Sequence, residues 1–196
     1  VELIASSSAV SSDDNYNTSA GTSSLASNTT GSWNSAFGYE SLANNTDGVN
    51  NAAFGSQSLK HNTTGDANSA FGTIALVQNT SGSFNTAMGE SSLGQNTTGS
   101  YNTALGYSAL GNNISGEFNT AVGTKALNSN TTGNSNVAVG RYALYNNESS
   151  WNNVAIGDNA LYNYSGSEGT LVAIGAQAGY NTQEHLTAIG LSLIHI

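Results

Sequence analysis

Small apolar, large apolar and polar residues recur along this chain with a period of 17 residues. In one-letter code the unit is x-N-T-A-Φ-G-x-x-A-L-x-x-N-T-T-G-x, where Φ is a large apolar residue. The first glycine of the unit returns at this spacing from Gly21 to Gly157 without an insertion. A short, fixed period is typical of a stacked array in which every unit forms one turn.

Each unit is predicted to contain two short extended segments. In one representative unit they are residues 84–88 and a second segment centred on residues 92–93, and the Asn-Thr-Thr-Gly turn at 96–99 follows. At most about ten extended residues per unit are too few for a propeller blade, and a 17-residue unit is too short for a helical repeat. The sequence therefore predicts an all-β, parallel β-solenoid with about one coil per repeat.

A position that recurs in successive repeats is here called a column, and three columns are assigned structural roles. An asparagine column is predicted to form an amide ladder between coils: Asn17, Asn34, Asn51, Asn68, Asn85, Asn102, Asn119, Asn136 and Asn153. The repeat core is predicted from a leucine column and from the Φ column. The leucines are Leu42, Leu59, Leu76, Leu93, Leu110, Leu127, Leu144 and Leu161, and the Φ residues are Phe37, Phe54, Phe71, Met88, Leu105, Val122, Val139 and Ile156.

The alanine column lies directly before the Φ column, as in Ala87 and Met88. Neighbouring residues on a strand point to opposite faces, so both faces of this strand are apolar. One face can fill the small coil, whereas the other needs a partner outside it. A parallel homotrimer would bury all copies equivalently, and we expect that assembly.

Composition narrows the possible partners. The chain has 3 Lys and Arg against 12 Asp and Glu, a net charge of −9, and only 8% charged residues. This excludes a basic nucleic-acid footprint and a polybasic membrane anchor. Cysteine and proline are absent, so no disulfide or cysteine metal site is possible. No apolar run is long enough to span a membrane, and no membrane contact is expected of this segment.

No arrangement of residues typical of catalysis is present, and we expect no enzyme activity, cofactor or metal. The histidines His61, His185 and His195 are separated along the chain and are interpreted as surface residues. Seven scattered acids are interpreted as solvated coil corners: Glu40, Asp47, Asp66, Glu90, Glu117, Glu148 and Asp158. Asp13 and Asp14 lack the spaced oxygen ligands of a calcium loop.

The repeats resemble the head repeats of YadA-like trimeric autotransporter adhesins, which carry N-S-V-A-I-G segments. The matching segments begin at Ser135, Asn153, Leu171 and Leu186, and the resemblance covers residues 16–190. The 17-residue form is also similar to repeats of phage tail-fibre-like proteins. The resemblance implies a left-handed, trimeric β-roll on a bacterial surface or a virion. The longer turn departs from the adhesin pattern, so collagen binding is not carried over.

Three regions are expected. Residues 1–15 are a lead-in whose apolar start is a candidate capping strand and whose serine-rich part is a candidate linker, and residues 16–190 are the repeat domain. Residues 191–196 (LSLIHI) resemble a translated transposon-end adapter, so we expect a non-native tail on a metagenomic fragment. The first residue is Val, which is also expected of a fragment of a longer protein.

The predicted function is a rigid, extracellular, adhesive rod that contacts a host-surface protein or glycan. The alternative is an ice-binding solenoid, because Thr and Ser recur in register; drift of the Thr column through Ala52 and Val137 weakens it. A glycan-cleaving enzyme would need clustered carboxylates, and the acids here are scattered.

Overall fold

The chain coils into a stack of β-strands in the computed structural model, which describes residues 10–167, 169–182 and 187–190. That described part contains twelve short strands and no helix. The strands are β1 Ser11–Ser12, β2 Thr18–Ala20, β3 Ser35–Phe37, β4 Ala52–Phe54, β5 Ser69–Phe71, β6 Thr86–Met88, β7 Thr103–Leu105, β8 Thr120–Val122, β9 Val137–Val139, β10 Val154–Ile156, β11 Val172–Ile174 and β12 Thr187–Ile189.

All twelve strands form one sheet in chain order. From β2 to β12 every neighbouring pair is parallel, and Thr18 lies opposite Ser35, one repeat further along the chain. The offset grows by one residue where Val154 pairs with Val172, and it shortens where Val172 pairs with Thr187. The structure therefore confirms the parallel β-solenoid with one coil per repeat.

The interior of the coils is filled by small and medium apolar side chains. The middle residue of each strand from β3 to β12 is an alanine with no exposed surface, and the leucines from Leu42 to Leu161 are equally buried. Both columns belong to one continuous core cluster. The alanines point inward from the sheet, and the leucines point inward from the opposite side of the coil. Because alanine is small, the two sides can approach each other closely.

The Φ column lies outside this core, which corrects the expectation that Phe37, Phe54, Phe71, Met88, Leu105, Val122, Val139 and Ile156 fill it. These residues end their strands, next to the inward alanine, so they point outward. Phe54, Phe71, Met88 and Ile156 are 37–47% exposed, and the other four are half-buried. A 17-residue coil has room for its alanines and leucine, and the larger side chains remain outside.

The second extended segment predicted in each unit does not form. Residues 90–95 are turns, and the backbone at Ser91 and Leu93 is left-handed, with φ of 59° and 50°. The Leu93 N–H still donates to the carbonyl of Ala109 in the next coil at 3.0 Å. Left-handed leucine is uncommon, and here its buried side chain and its inter-coil hydrogen bond offset the conformational cost.

The predicted asparagine ladder runs through the stack. The side-chain Oδ1 of Asn34 accepts hydrogen bonds from the N–H and the Nδ2 of Asn51 at 2.9 and 3.1 Å. The same Asn51 Nδ2 donates to the carbonyl of Gly65 at 2.8 Å. The ladder is buried, and in the described part no buried side-chain polar atom lacks a partner. Each coil is thereby fixed to its neighbour by a side chain as well as by the sheet.

A second asparagine ladder lies in the Asn-Thr-Thr-Gly turn, where the sequence indicated only a turn. Asn62 Nδ2 donates to Asn45 Oδ1 at 2.8 Å and to the carbonyl of Gly65 at 3.0 Å. Gly65 therefore accepts from both ladders and joins them. The second ladder comprises Asn28, Asn45, Asn62, Asn79, Asn96, Asn113, Asn130 and Asn147. The invariant asparagine of this turn was the signal that could have revealed it.

Residues 10–15, at the end of the lead-in expected to be a linker or a cap, lie against the first coil. Strand β1 of this segment pairs antiparallel with β2. Asp13 Oδ1 accepts from the N–H of Asn17 at 2.9 Å, and its Oδ2 accepts from Asn17 Nδ2 at 2.9 Å. The carboxylate thus occupies the position that a preceding ladder asparagine would fill. Residues 1–9, which include the apolar start and the first serines, and the expected tail at 191–196 lie outside the described residues.

The corner glycines should tolerate no side chain. Gly89 has φ of +131°, and a Cβ there would lie 2.7 Å from the carbonyl carbon and oxygen of Gly106. We expect Gly89→Ala to cost about 2 kcal/mol or more and to lower the thermal midpoint by about 4 °C or more. Gly94→Ala is the matched control, because its nearest contact is 3.2 Å and Ala43 stands naturally in the same column. Equal midpoints for the two variants, measured by circular dichroism, would refute this account.

The Asp13 cap should depend on pH. Its hydrogen bonds from the Asn17 side chain and backbone lower the pKa of Asp13 below its usual value. The cap therefore contributes stability above about pH 4, and that contribution is lost as pH falls through the lowered pKa. We expect Asp13→Ala to reduce hydrogen-exchange protection in β2 by about 1 kcal/mol at pH 7, with β7 unaffected.

Asp14→Ala is the control for this cap, and it should leave β2 protected. A difference between wild type and Asp13→Ala that stays the same from pH 7 to pH 2 would argue against the cap.

Candidate interaction surface

The outer face of the sheet is an uninterrupted uncharged surface, here called the strand face. It consists of the first and third residues of β2 to β12. The first residues are Ser, Thr, Ala or Val, and the third residues after β2 are large and apolar. None of these residues carries a charge in any strand from β2 to β12. Burial within the single chain therefore does not explain the large apolar residues of this face.

Stacked rings cover part of the strand face. Phe37 and Phe54 stack with centroids 4.9 Å apart, and Phe54 and Phe71 stack at 5.0 Å. Met88 and Leu105 continue the column, and valines and isoleucines follow it to Ile189. Because equivalent residues of successive coils lie about one strand spacing apart, the column forms a continuous apolar ridge along the stack.

A second row of rings, here called the aromatic corner, lies one residue before the ladder asparagine. Phe84, Tyr101 and Phe118 stack at 4.9 and 5.0 Å and are 50–54% exposed. Tyr16 and Trp33 stack at 4.3 Å in the first two coils. All five residues have a left-handed backbone. The sequence columns did not predict this row, because the position varies between aromatic, Asn, Ala and Ser.

Charged side chains lie away from the strand face, and some of them form pairs. Lys60 Nζ lies 2.7 Å from Glu40 Oε2, and Gln57 Nε2 donates to the same oxygen at 2.8 Å. The Lys60 and Gln57 hydrogen bonds lower the pKa of Glu40 to about 2. The Arg141 guanidinium lies 2.8 Å from Asp158 and lowers the pKa of that carboxyl group. These two carboxylates thus pair with cations at separate corners of the coils and do not share one site.

No cluster suitable for a metal ion occurs among the described residues. His61 shares a hydrogen bond with Asn44 Nδ2 at 3.1 Å across one coil step. Asp66 accepts from the N–H of Val49 at 2.8 Å. His185 and His195 lie outside the described residues. The part of the chain that the structure describes also contains no helix long and apolar enough to cross a membrane.

Comparison of the chain with family models, with curated proteins and with solved structures found no match. The resemblance to YadA-like heads therefore stays a prediction. The features of this chain that bear on its function are the strand face, the aromatic corner and the other exposed columns.

Proposed function

We propose that this chain is a segment of a non-enzymatic adhesive fibre in which three copies pack side by side as a left-handed, trimeric rod. The observation that supports it is the uncharged strand face, whose apolar ridge runs from β3 to β12. A stack of this many strands is roughly 50 Å long. Contiguous exposed apolar surface on this scale is typical of a surface that binds a partner.

A second copy of the same chain is the partner that matches this surface best. Another rod of the same type presents apolar side chains at the same axial spacing, so a parallel arrangement can bring each ridge residue against equivalent residues. Cyclic symmetry then buries the ridge of every copy to the same extent. The aromatic corner lies two residues before the strand face and would extend the same contact.

A rod of this kind suits attachment outside the cell, on a bacterial surface or a phage virion. Its interior holds uncharged amides and aliphatic side chains in hydrogen-bonded register, which gives stiffness without a large core. Its other exposed columns repeat along the axis, so weak contacts with a host-surface protein or glycan can add by multivalency.

The alternative is ice binding through repeated hydroxyls. The geometry gives it little support, because the strand-face threonines of β6, β7, β8 and β12 alternate with Met, Leu, Val and Ile on the same face. The turn threonines use their hydroxyls within the stack, as Thr46 Oγ1 does when it donates to the carbonyl of Thr63 at 3.0 Å. Thermal hysteresis in a freezing assay would favour the alternative, and its absence would dispose of it.

Solution mass tests the trimer. We expect light scattering to give three times the 19.9 kDa chain mass at micromolar concentration. Phe54→Asp with Phe71→Asp should shift the protein to monomer, because each buried carboxylate would cost about 2 kcal/mol or more at the interface.

The control for this experiment is Thr64→Asp. It adds a carboxylate at an exposed turn position, where Asp47 stands naturally one coil earlier, and the variant should remain trimeric. Wild-type protein that stays monomeric across micromolar concentrations would contradict the proposal.

A further inference from the structure

A group of tyrosines on the side of the coil away from the sheet is not required by the fold. Tyr145, Tyr162 and Tyr180 each follow the leucine position in three successive coils. In the seven preceding coils the same column holds Ala26, Ala43, Lys60, Val77, Gly94, Gly111 and Asn128. Since the coil forms equally well with alanine or glycine at this position, coil formation does not account for three consecutive tyrosines.

The tyrosines form an ordered strip along the axis. The rings of Tyr145 and Tyr162 stack with centroids 5.2 Å apart and an interplanar angle of 8°. Tyr162 and Tyr180 stack at 5.2 Å and 5°. Tyr142 meets the rings of Tyr145 and Tyr162 edge-on, at 5.4 and 6.0 Å. The four rings are half-buried, so each keeps part of its surface in contact with solvent.

A polar row accompanies the rings. The residues directly after the three stacked tyrosines are Asn146, Asn163 and Asn181. Asn146 Nδ2 donates to Asn163 Oδ1 at 3.2 Å, and Asn163 Nδ2 donates to Asn181 Oδ1 at 2.7 Å. The strip therefore presents, in each coil, one tyrosine beside one amide of fixed orientation.

A fixed cation borders the strip. The Arg141 guanidinium carbon lies 5.6 Å from the centre of the Tyr142 ring. Arg141 donates to both carboxylate oxygens of Asp158, at 2.8 and 3.1 Å, so its position over the ring is held. The pair is neutral overall and offers hydrogen-bond donors and acceptors close to an aromatic surface.

We propose that this strip binds an uncharged, extended, β-1,4-linked polysaccharide lying parallel to the rod. The stacked rings turn their faces to one another, so each tyrosine offers its ring edge and phenol hydroxyl. Beside the oriented amides and the arginine–carboxylate pair, these groups supply apolar contact and hydrogen-bond partners for sugar rings and their hydroxyl groups. Each sugar of an extended β-1,4-linked chain advances by about one strand spacing, with alternate sugars turned over, so each sugar lies beside the tyrosine and amide of one coil. The net charge of −9 disfavours an anionic glycan.

Polysaccharide binding by the strip does not require the trimer. The strip lies on the leucine-bearing side of the coil, whereas the proposed interface is the strand face, and the Leu and Ala columns separate the two. A monomer could bind the polysaccharide, and a trimer could form without binding it.

Isothermal titration calorimetry with the full chain tests the proposal, with cellohexaose and chitohexaose as probes. We expect binding to at least one of these β-1,4-linked hexamers and none to maltohexaose, whose α-1,4 linkage curls the chain away from the coil spacing. A response to only one probe identifies the sugar type. Absence of binding to both, or equal binding to maltohexaose, overturns the proposal.

Two variants assign the binding to the strip. Tyr162→Val removes the central ring and places a residue that the same column accepts at Val77, and it should weaken binding about tenfold or more. Tyr107→Thr removes another exposed tyrosine and matches Thr124 in the next coil, so it should leave binding unchanged. Unchanged affinity in Tyr162→Val would refute the assignment.

A third variant distinguishes the loss of a binding contact from weaker binding caused by local unfolding. Asn128→Tyr adds a ring to the strip one coil before Tyr145 and should tighten hexamer binding several-fold. Tyr162→Val and Asn128→Tyr should both keep the wild-type thermal midpoint within a few degrees. Weakening by Tyr162→Val without tightening by Asn128→Tyr, at equal midpoints, would contradict a row of equivalent subsites.

Discussion

The stack depends on the buried hydrogen bonds of the two asparagine ladders, which meet at the carbonyl oxygen of the turn glycine. In a complete coil this oxygen accepts hydrogen bonds from two buried asparagines, as Gly65 does from Asn51 at 2.8 Å and Asn62 at 3.0 Å. Each asparagine also contacts the asparagine of the preceding coil. An amide buried without such partners would cost about 1–3 kcal/mol, so every coil needs its neighbours to satisfy its own interior. Stacking is therefore a condition of folding for each coil.

This dependence explains where the sequence is constant and where it varies. The ladder asparagines, the inward alanines and the corner glycines contact the adjacent coil directly, and a Cβ at Gly89 would overlap the backbone of Gly106. The outward side chains contact other outward side chains of the same or adjacent coils and do not enter the buried interior, so they can change from coil to coil. That freedom permits the phenylalanines of the strand face in one region and the tyrosine strip in another.

Much of the fold could be predicted from the sequence. The unbroken period from Gly21 to Gly157 predicted a parallel solenoid, and the parallel pairing of β2 to β10 at a constant offset of one repeat confirms it. The prediction of a second extended segment in each unit was wrong. A hydrophobic pattern cannot distinguish a short strand from a left-handed turn when both make the same hydrogen bonds between coils. The second asparagine ladder was missed for a related reason: asparagine is common in turns whether or not its side chain is buried.

The sequence by itself determined the period, the parallel stacking and the columns that had to be equivalent, because an unvarying repeat requires each unit to meet its neighbours in the same way. Only the tertiary structure decided which columns face inward. Adjacent Ala and Φ residues are both apolar, and the closure of a 17-residue coil around leucine leaves room for the alanine alone. The tertiary structure also decided that Asp13 ends the ladder. The chain before the first coil folds back onto it, and the Asp13 carboxylate then accepts the Asn17 hydrogen bonds that a preceding asparagine would otherwise accept.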